Sequence, residues 1–220
     1  MGPSLNFKMN DFIDKSKKIS EWLAENLEES DISVTDLGQE RIRAGCPCVG
    51  LALQSHRAIV LLMERQLIGP AAALVRVMFE AYVRGVWLLY CANDKQIKRY
   101  ISGKKVNNYF SDLILAVEKL PEFCESVLSH ILGASWNTMN SYTHCGWHQI
   151  VRGNTEAGIE PCYTKAECIE IIRFADGIAL AAGAIIAELL GKKELLLELH
   201  SRAAAIKGQL NGESKCKTNP

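Results

Sequence analysis

The chain has 220 residues, 48% of them hydrophobic, and its 25 lysines and arginines balance its 25 aspartates and glutamates. That length supports one sizeable core, so a single helical domain is expected over residues 1–206, with a flexible polar tail over 207–220. Zero net charge excludes a global field that would draw the chain to nucleic acid or to an anionic membrane, and any such binding has to come from a local patch.

Eight cysteines, at positions 46, 48, 91, 124, 145, 162, 168 and 216, are irregularly spaced, and several sit in apolar runs such as LLYCA. No basic stretch followed by an apolar run and a cleavage site opens the sequence. The thiols are therefore expected to be reduced and the protein cytoplasmic, with no membrane partner. Cys46-Pro-Cys48 is a CxC without a second pair, which is no zinc or redox signature, and no cofactor is expected.

Phe12, Ile19, Leu23 and Leu27 recur at helical spacing among lysines and glutamates, so an amphipathic first helix is expected from about Asn10. Ser30 to Pro47 reads as a connecting segment with room for one short helix. Two long helices follow, Val49 to Ile68 and Ala71 to Ala92. Gly69-Pro70 joins them into an antiparallel hairpin, glycine suiting the end of one helix and proline the first turn of the next. Asn93 and Gln96 cap a short helix reaching Ile101. Further helices are expected from Val106 to Leu120, from Pro121 to near Gly133, and from Ser135 to about Ile150.

The segment RGNTEAGIEPCY then reads either as a mobile lid or as a plain connection. Thr164 and Glu167 form a capping box for a helix running to Leu190, and Gly191 separates a last helix. The most apolar run, Gly177 to Gly191, falls short of the ~20 residues that span a bilayer and reads as a buried helix. With no strand of convincing length, the fold class is all-α, an antiparallel helical bundle.

Chemistry gathers in two places. Arg76, Glu80 and Arg84 stand on consecutive turns of an otherwise apolar helix, where i, i+4 spacing lets Glu80 reach both arginines. Burial would make that pairing nearly obligatory. Either this is an ion ladder that orients helices, or it is a guanidinium clamp for phosphate or carboxylate. NSYTHCGWHQIVRG places His144 and His148 four apart, on one face if the segment stays helical through Gly146. That pair could share a metal, but no further ligands are identifiable. His144 could instead act as acid or base, with Asn140 and Tyr142 as polar neighbours, or be a satisfied core histidine.

Trp136 and Trp147 are expected to pack in the core. Arg173, flanked by Glu170 and Asp176, either joins the internal ion network or forms a surface ladder. Lys98 and Arg99 belong to the densest basic cluster, either a solvated face or a seat for a phosphate backbone.

The combination of LVRVMFEAYVRGVWLL, a helical hairpin and SYTHCG on a later helix resembles uncharacterised bacterial all-helical proteins distantly related to the HEPN superfamily. The resemblance rests on Arg76, Glu80, Trp87, Tyr142, His144 and Gly146. It implies a bundle, a homodimer and, in active members, metal-independent RNA cleavage in toxin or phage-defence settings. Those members place an arginine four to six residues before the histidine, and none of the ten arginines here precedes any of the five histidines at that distance. The expected site is therefore composite: Arg76 from one helix, Glu80 holding it, and His144 moving the proton. Arg84, Asn140, Tyr142, His148, Lys98 and Arg99 are candidate substrate contacts. The alternatives are a non-catalytic dimeric module docking a protein partner, such as an antitoxin or defence subunit, or a sensor of a small anionic ligand.

Overall fold

The structure is a computed structural model that describes residues 3–27, 39–106, 109–123, 126–156 and 158–215. Helix α1 (Pro3–Leu27) begins well before Asn10. Helix α2 (Gln39–Glu64) overturns part of the expected connecting segment, because the chain stays helical through Pro47; residues 30–38 of that segment lie outside the described residues. An interior proline forfeits a backbone hydrogen bond and normally costs about 3 kcal/mol.

A close crossing of α2 over α3 (Ile68–Val86) offsets that cost. A Cβ on Gly45 would sit 2.5 Å from Leu89 Cγ and 3.0 Å from the Gly85 carbonyl oxygen. One on Gly85 would sit 2.6 Å from Val49 Cγ2 and 2.9 Å from Val49 N. Each glycine is thus the notch that the other helix's backbone enters, which ties the proline-bearing turn to the core.

The α2–α3 turn also differs from expectation. Gly69 and Pro70 both fall in the first turn of α3, and Gln66 takes the left-handed conformation (φ 61°) that glycine was expected to supply. Proline still suits that first turn, where its missing N–H is no loss. Helix α3 continues into a π-helical turn, Trp87–Cys91, closed by the Ala92 N–H to the Trp87 carbonyl at 2.8 Å. Phe79 of α3, fully buried, meets Phe110 and Phe174 edge-on at centroid distances of 5.6 and 5.9 Å. Each such ring contributes about 1.5–3 kcal/mol on burial.

Helix α4 (Asp94–Ile101) starts at the expected Asn93/Gln96 capping box. Helix α5 (Phe110–Val117) is shorter than expected, and residues 107–108 lie outside the described residues. Pro121–Phe123 is a single 3₁₀ turn. Helix α6 (Val127–Thr143) passes through Gly133 without a break.

The expected continuous helix through the histidine motif is instead broken. Cys145 adopts φ 51°, the Gly146 N–H closes onto the Ser141 carbonyl at 2.7 Å, and α7 (Trp147–Val151) starts afresh. A Cβ at Gly146 would lie 2.7 Å from Ser141 Oγ, so glycine serves close approach here while cysteine takes the left-handed turn.

A two-stranded hairpin, β1 (Asn154–Thr155) with β2 (Gly158–Ile159), occupies the following loop. Helix α8 (Lys165–Leu189) begins at the Thr164/Glu167 capping box. Helix α9 (Lys193–Lys215) carries its backbone past residue 206, and 216–220 lie outside the described residues. The fold is an all-α bundle with α3 and α8 at its centre. Residues Glu40–Glu64 of α2 hold a window of mean hydropathy 1.4, long and apolar enough to cross a membrane. In this bundle one face of α2 packs into the core, and Leu51 and Leu61 remain exposed.

Candidate functional site

Helix α3 presents its charged stripe to an open cleft between α2, α4 and the end of α6. Cys48, Leu51, Arg76, Val77, Glu80, Ala81, Arg84, Tyr100, Thr143 and His144 enclose about 400 Å³. The stripe is half-buried rather than sealed: the Arg76 and Glu80 side chains are 21% and 28% exposed. Arg76 Nε donates to Glu80 Oε1 at 2.6 Å, and Arg76 Nη1 contacts His144 Nε2 at 2.6 Å. The guanidinium also lies 4.9 Å above the ring of Trp136, which stacks on Phe110 at 5.0 Å on the side of the core. Carboxylate, aromatic face and imidazole together fix the arginine's plane. Trp136, expected only as packing, is thus also the platform beneath Arg76.

A guanidinium has only donors, so His144 Nε2 is the acceptor and, in the neutral ring, Nδ1 carries the proton. No partner engages Arg76 Nη2 among the described residues. Arg84 departs from expectation: Glu80 pairs with Arg76 alone, and Arg84 makes no hydrogen bond or ion pair among the described residues. Glu80 turns its Oε1 back one turn of the helix to Arg76. Across the cleft, Tyr100 Oη lies 3.5 Å from Cys48 Sγ. Burial, then the contact with Cys48, pushes the Tyr100 phenol up to about 12, against the pull of the nearby Arg84 charge. The phenol therefore keeps its proton at neutral pH.

Asn140 lies between Trp136 and His144 at steps of four, on the side of α6 that meets Arg76, and its Oδ1 is buried with no hydrogen-bond partner among the described residues.

The remaining candidates do not join this cleft. Tyr142 faces the opposite side of α6, where it lines a separate hollow with Glu167 and Glu170, 6.2 Å from the Tyr163 ring. Burial and then Glu167 raise its pKa. His148 is exposed beyond the helix break, its N–H on Ser141 Oγ at 2.8 Å, so the two histidines do not share a helical face. No group of three potential metal ligands occurs among the described residues. Lys98 and Arg99 line a surface depression of their own on α4.

Trp147, expected in the core, is 73% exposed because the break at Cys145 turns α7 outward. The loop after α7 is tied down by the Cys162 N–H to the Arg152 carbonyl at 2.8 Å and by Tyr163 Oη to Gln149 Oε1 at 2.8 Å. It contributes no residue to the Arg76 cleft.

One polar cluster escaped the sequence reading. Ser16, His56 and Asp176, from α1, α2 and α8, are 0%, 1% and 6% exposed. Both Ser16 Oγ and His56 Nε2 donate to the same Asp176 oxygen, the latter at 2.8 Å. Their residue types resemble a hydrolase triad, but the serine bonds the carboxylate directly and is sealed from solvent, so this is a structural lock. Asp176 accordingly pairs with His56 rather than with Arg173, whose guanidinium covers Phe12 at 5.1 Å. Their separations of 40 and 120 positions in the chain left no local signal.

No curated protein and no solved structure matches this chain. A family of unknown function, DUF6988, matches residues 49–211, a span that takes in every cleft residue except Cys48 and leaves out α1. The chain belongs to that family.

Proposed function

We propose that the cleft binds an RNA phosphodiester and cleaves it without a metal, in a HEPN-like cytoplasmic protein of toxin or phage-defence type that works as an antiparallel-bundle homodimer. The observation that carries this reading is the Arg76 guanidinium, fixed by Glu80 and Trp136, hydrogen-bonded to the accepting Nε2 of His144 at the mouth of an open cleft.

A phosphate drawn to the unengaged Nη2 competes for Nη1 as well, because a bidentate guanidinium–phosphate pair is stronger than a bond to neutral imidazole. That frees Nε2 to take the proton of the ribose 2′-hydroxyl. The 2′-oxygen then attacks the adjacent phosphorus, the bond to the 5′-oxygen breaks, and the proton on Nε2 passes to that leaving oxygen. The products are a 2′,3′-cyclic phosphate and a 5′-hydroxyl. Arg76 carries the charge that accumulates on the phosphoryl oxygens.

The test is cleavage of end-labelled RNA in excess chelator by the wild type, Arg76→Ala and His144→Ala, with analysis of product ends. Loss of one acid–base group lowers the rate by roughly 10²–10⁴. Cleavage that survives both changes removes these residues from the mechanism.

A second reading, a sensor that binds a small anion without chemistry, is favoured by the engagement of His144 Nε2 with Arg76. It predicts Arg76-dependent phosphate binding by calorimetry and no cyclic-phosphate product.

A further inference from the structure

We infer that Arg84 forms a second anion subsite in this cleft, so that the preferred ligand carries one phosphate beyond the one met by Arg76 and His144; this rests on the RNA reading above. Arg84 is half-buried, lines the same cleft, and makes no hydrogen bond or ion pair among the described residues. A guanidinium held partly out of water without a counter-charge is costly, and an arriving anion relieves that cost.

Arg84 stands eight residues beyond Arg76 on α3, about 12 Å along the axis, and Arg76 is held in place by Glu80 and His144, so Arg84 is placed to meet a second phosphate rather than the one at Arg76. Between them Glu80 turns its Oε1 to Arg76. Its negative charge disfavours a third anion there and leaves room for a neutral sugar. Along the helix the cleft therefore presents cation, carboxylate, cation, the complement of a backbone whose phosphates are separated by uncharged riboses. Leu51, Val77 and the protonated Tyr100 supply an apolar wall for the rest of the nucleotide.

The probes are a dinucleoside monophosphate and the same dinucleotide with an additional terminal phosphate, both with 2′-O-methyl riboses so that neither is cut. By calorimetry the wild type should bind the extended probe about tenfold more tightly, the worth of one charge-assisted contact. In Arg84→Gln that preference should fall to about one, and the slope of log K against log salt for the extended probe should shrink by about 0.7. Arg84→Lys should recover part of both, and circular-dichroism melts confirm that the variants fold.

The subsite is overturned if the wild type shows no preference, if Arg84→Gln keeps the preference and the salt slope, or if neither probe binds. The two readings fail separately. An Arg84-dependent preference in a protein that cuts no RNA sinks the cleavage reading alone, whereas cleavage without the preference sinks the subsite alone.

Discussion

His56 and His144 each direct Nε2 at a charged neighbour, and the sign of that neighbour separates two regions of the molecule. In the core, His56 donates to the Asp176 carboxylate, which Ser16 also donates to, and the three residues are at most 6% exposed. At the cleft, His144 accepts from the Arg76 guanidinium, with solvent on one side and with no hydrogen-bond partner for Nη2 or Arg84 among the described residues. A buried polar group must be satisfied within the protein, so Ser16, His56 Nε2 and Asp176 spend these hydrogen bonds on holding three helices together, although His56 also lines a cavity of about 280 Å³. A half-buried group can rest incompletely paired, and that residual capacity is what makes the cleft the candidate site.

The comparison breaks most severely at Asp176. Asp176→Ala leaves His56 and Ser16 buried without their acceptor, and urea unfolding should show a loss of about 3–5 kcal/mol. Arg76→Ala, at a half-buried i, i+4 pair on an open cleft, should cost less, on the order of 1 kcal/mol. Similar losses at the two positions would mean that the core cluster is no lock.

Gly85→Val comes next. Its branched side chain would meet the backbone of Val49, and overpacking of this kind costs about 1–3 kcal/mol, read as a lower midpoint in the same denaturation. An unchanged midpoint would show that α2 can slide and that Pro47 is not held by the crossing.

The smallest effect belongs to Glu167, a surface counterpart of the core cluster. Burial pushes its carboxyl up, but hydrogen bonds from Arg152 and Thr164 outweigh this and leave its pKa below the ordinary 4.5. A lowered folded-state pKa means that the ionised form adds stability above pH 4.5, lost as pH falls through the lowered value. Glu167→Gln keeps the capping-box geometry and removes the charge, so its deficit in melting temperature should be present at neutral pH and vanish as pH falls through the lowered value. A deficit independent of pH would assign the effect to the cap rather than to the ion pair.

Features decided within a few residues were legible in the sequence. The Asn93/Gln96 and Thr164/Glu167 caps stand where expected because each is closed by a side chain reaching three positions along the chain. Arg76 with Glu80 is of the same local kind. Pro47 and Gly45 read as loop because local propensity disfavours both in a helix, and only the crossing with Gly85 overrides it. Gly146 marked where the helix could break, but the left-handed residue is Cys145, uncommon for a non-glycine, and the expected continuous helix misplaced both Trp147 and His148.

By itself the sequence determined an all-α chain, its main helices and caps, and the charged stripe on α3, since periodicity and capping act over one or two turns. Only the tertiary structure decided that His144 meets Arg76 across 68 positions, that Arg84 makes no ion pair among the described residues, and that Ser16, His56 and Asp176 converge in the core. Those outcomes depend on which helices pack together and at what angle, a balance of burial and close contact over the whole chain that no short window contains.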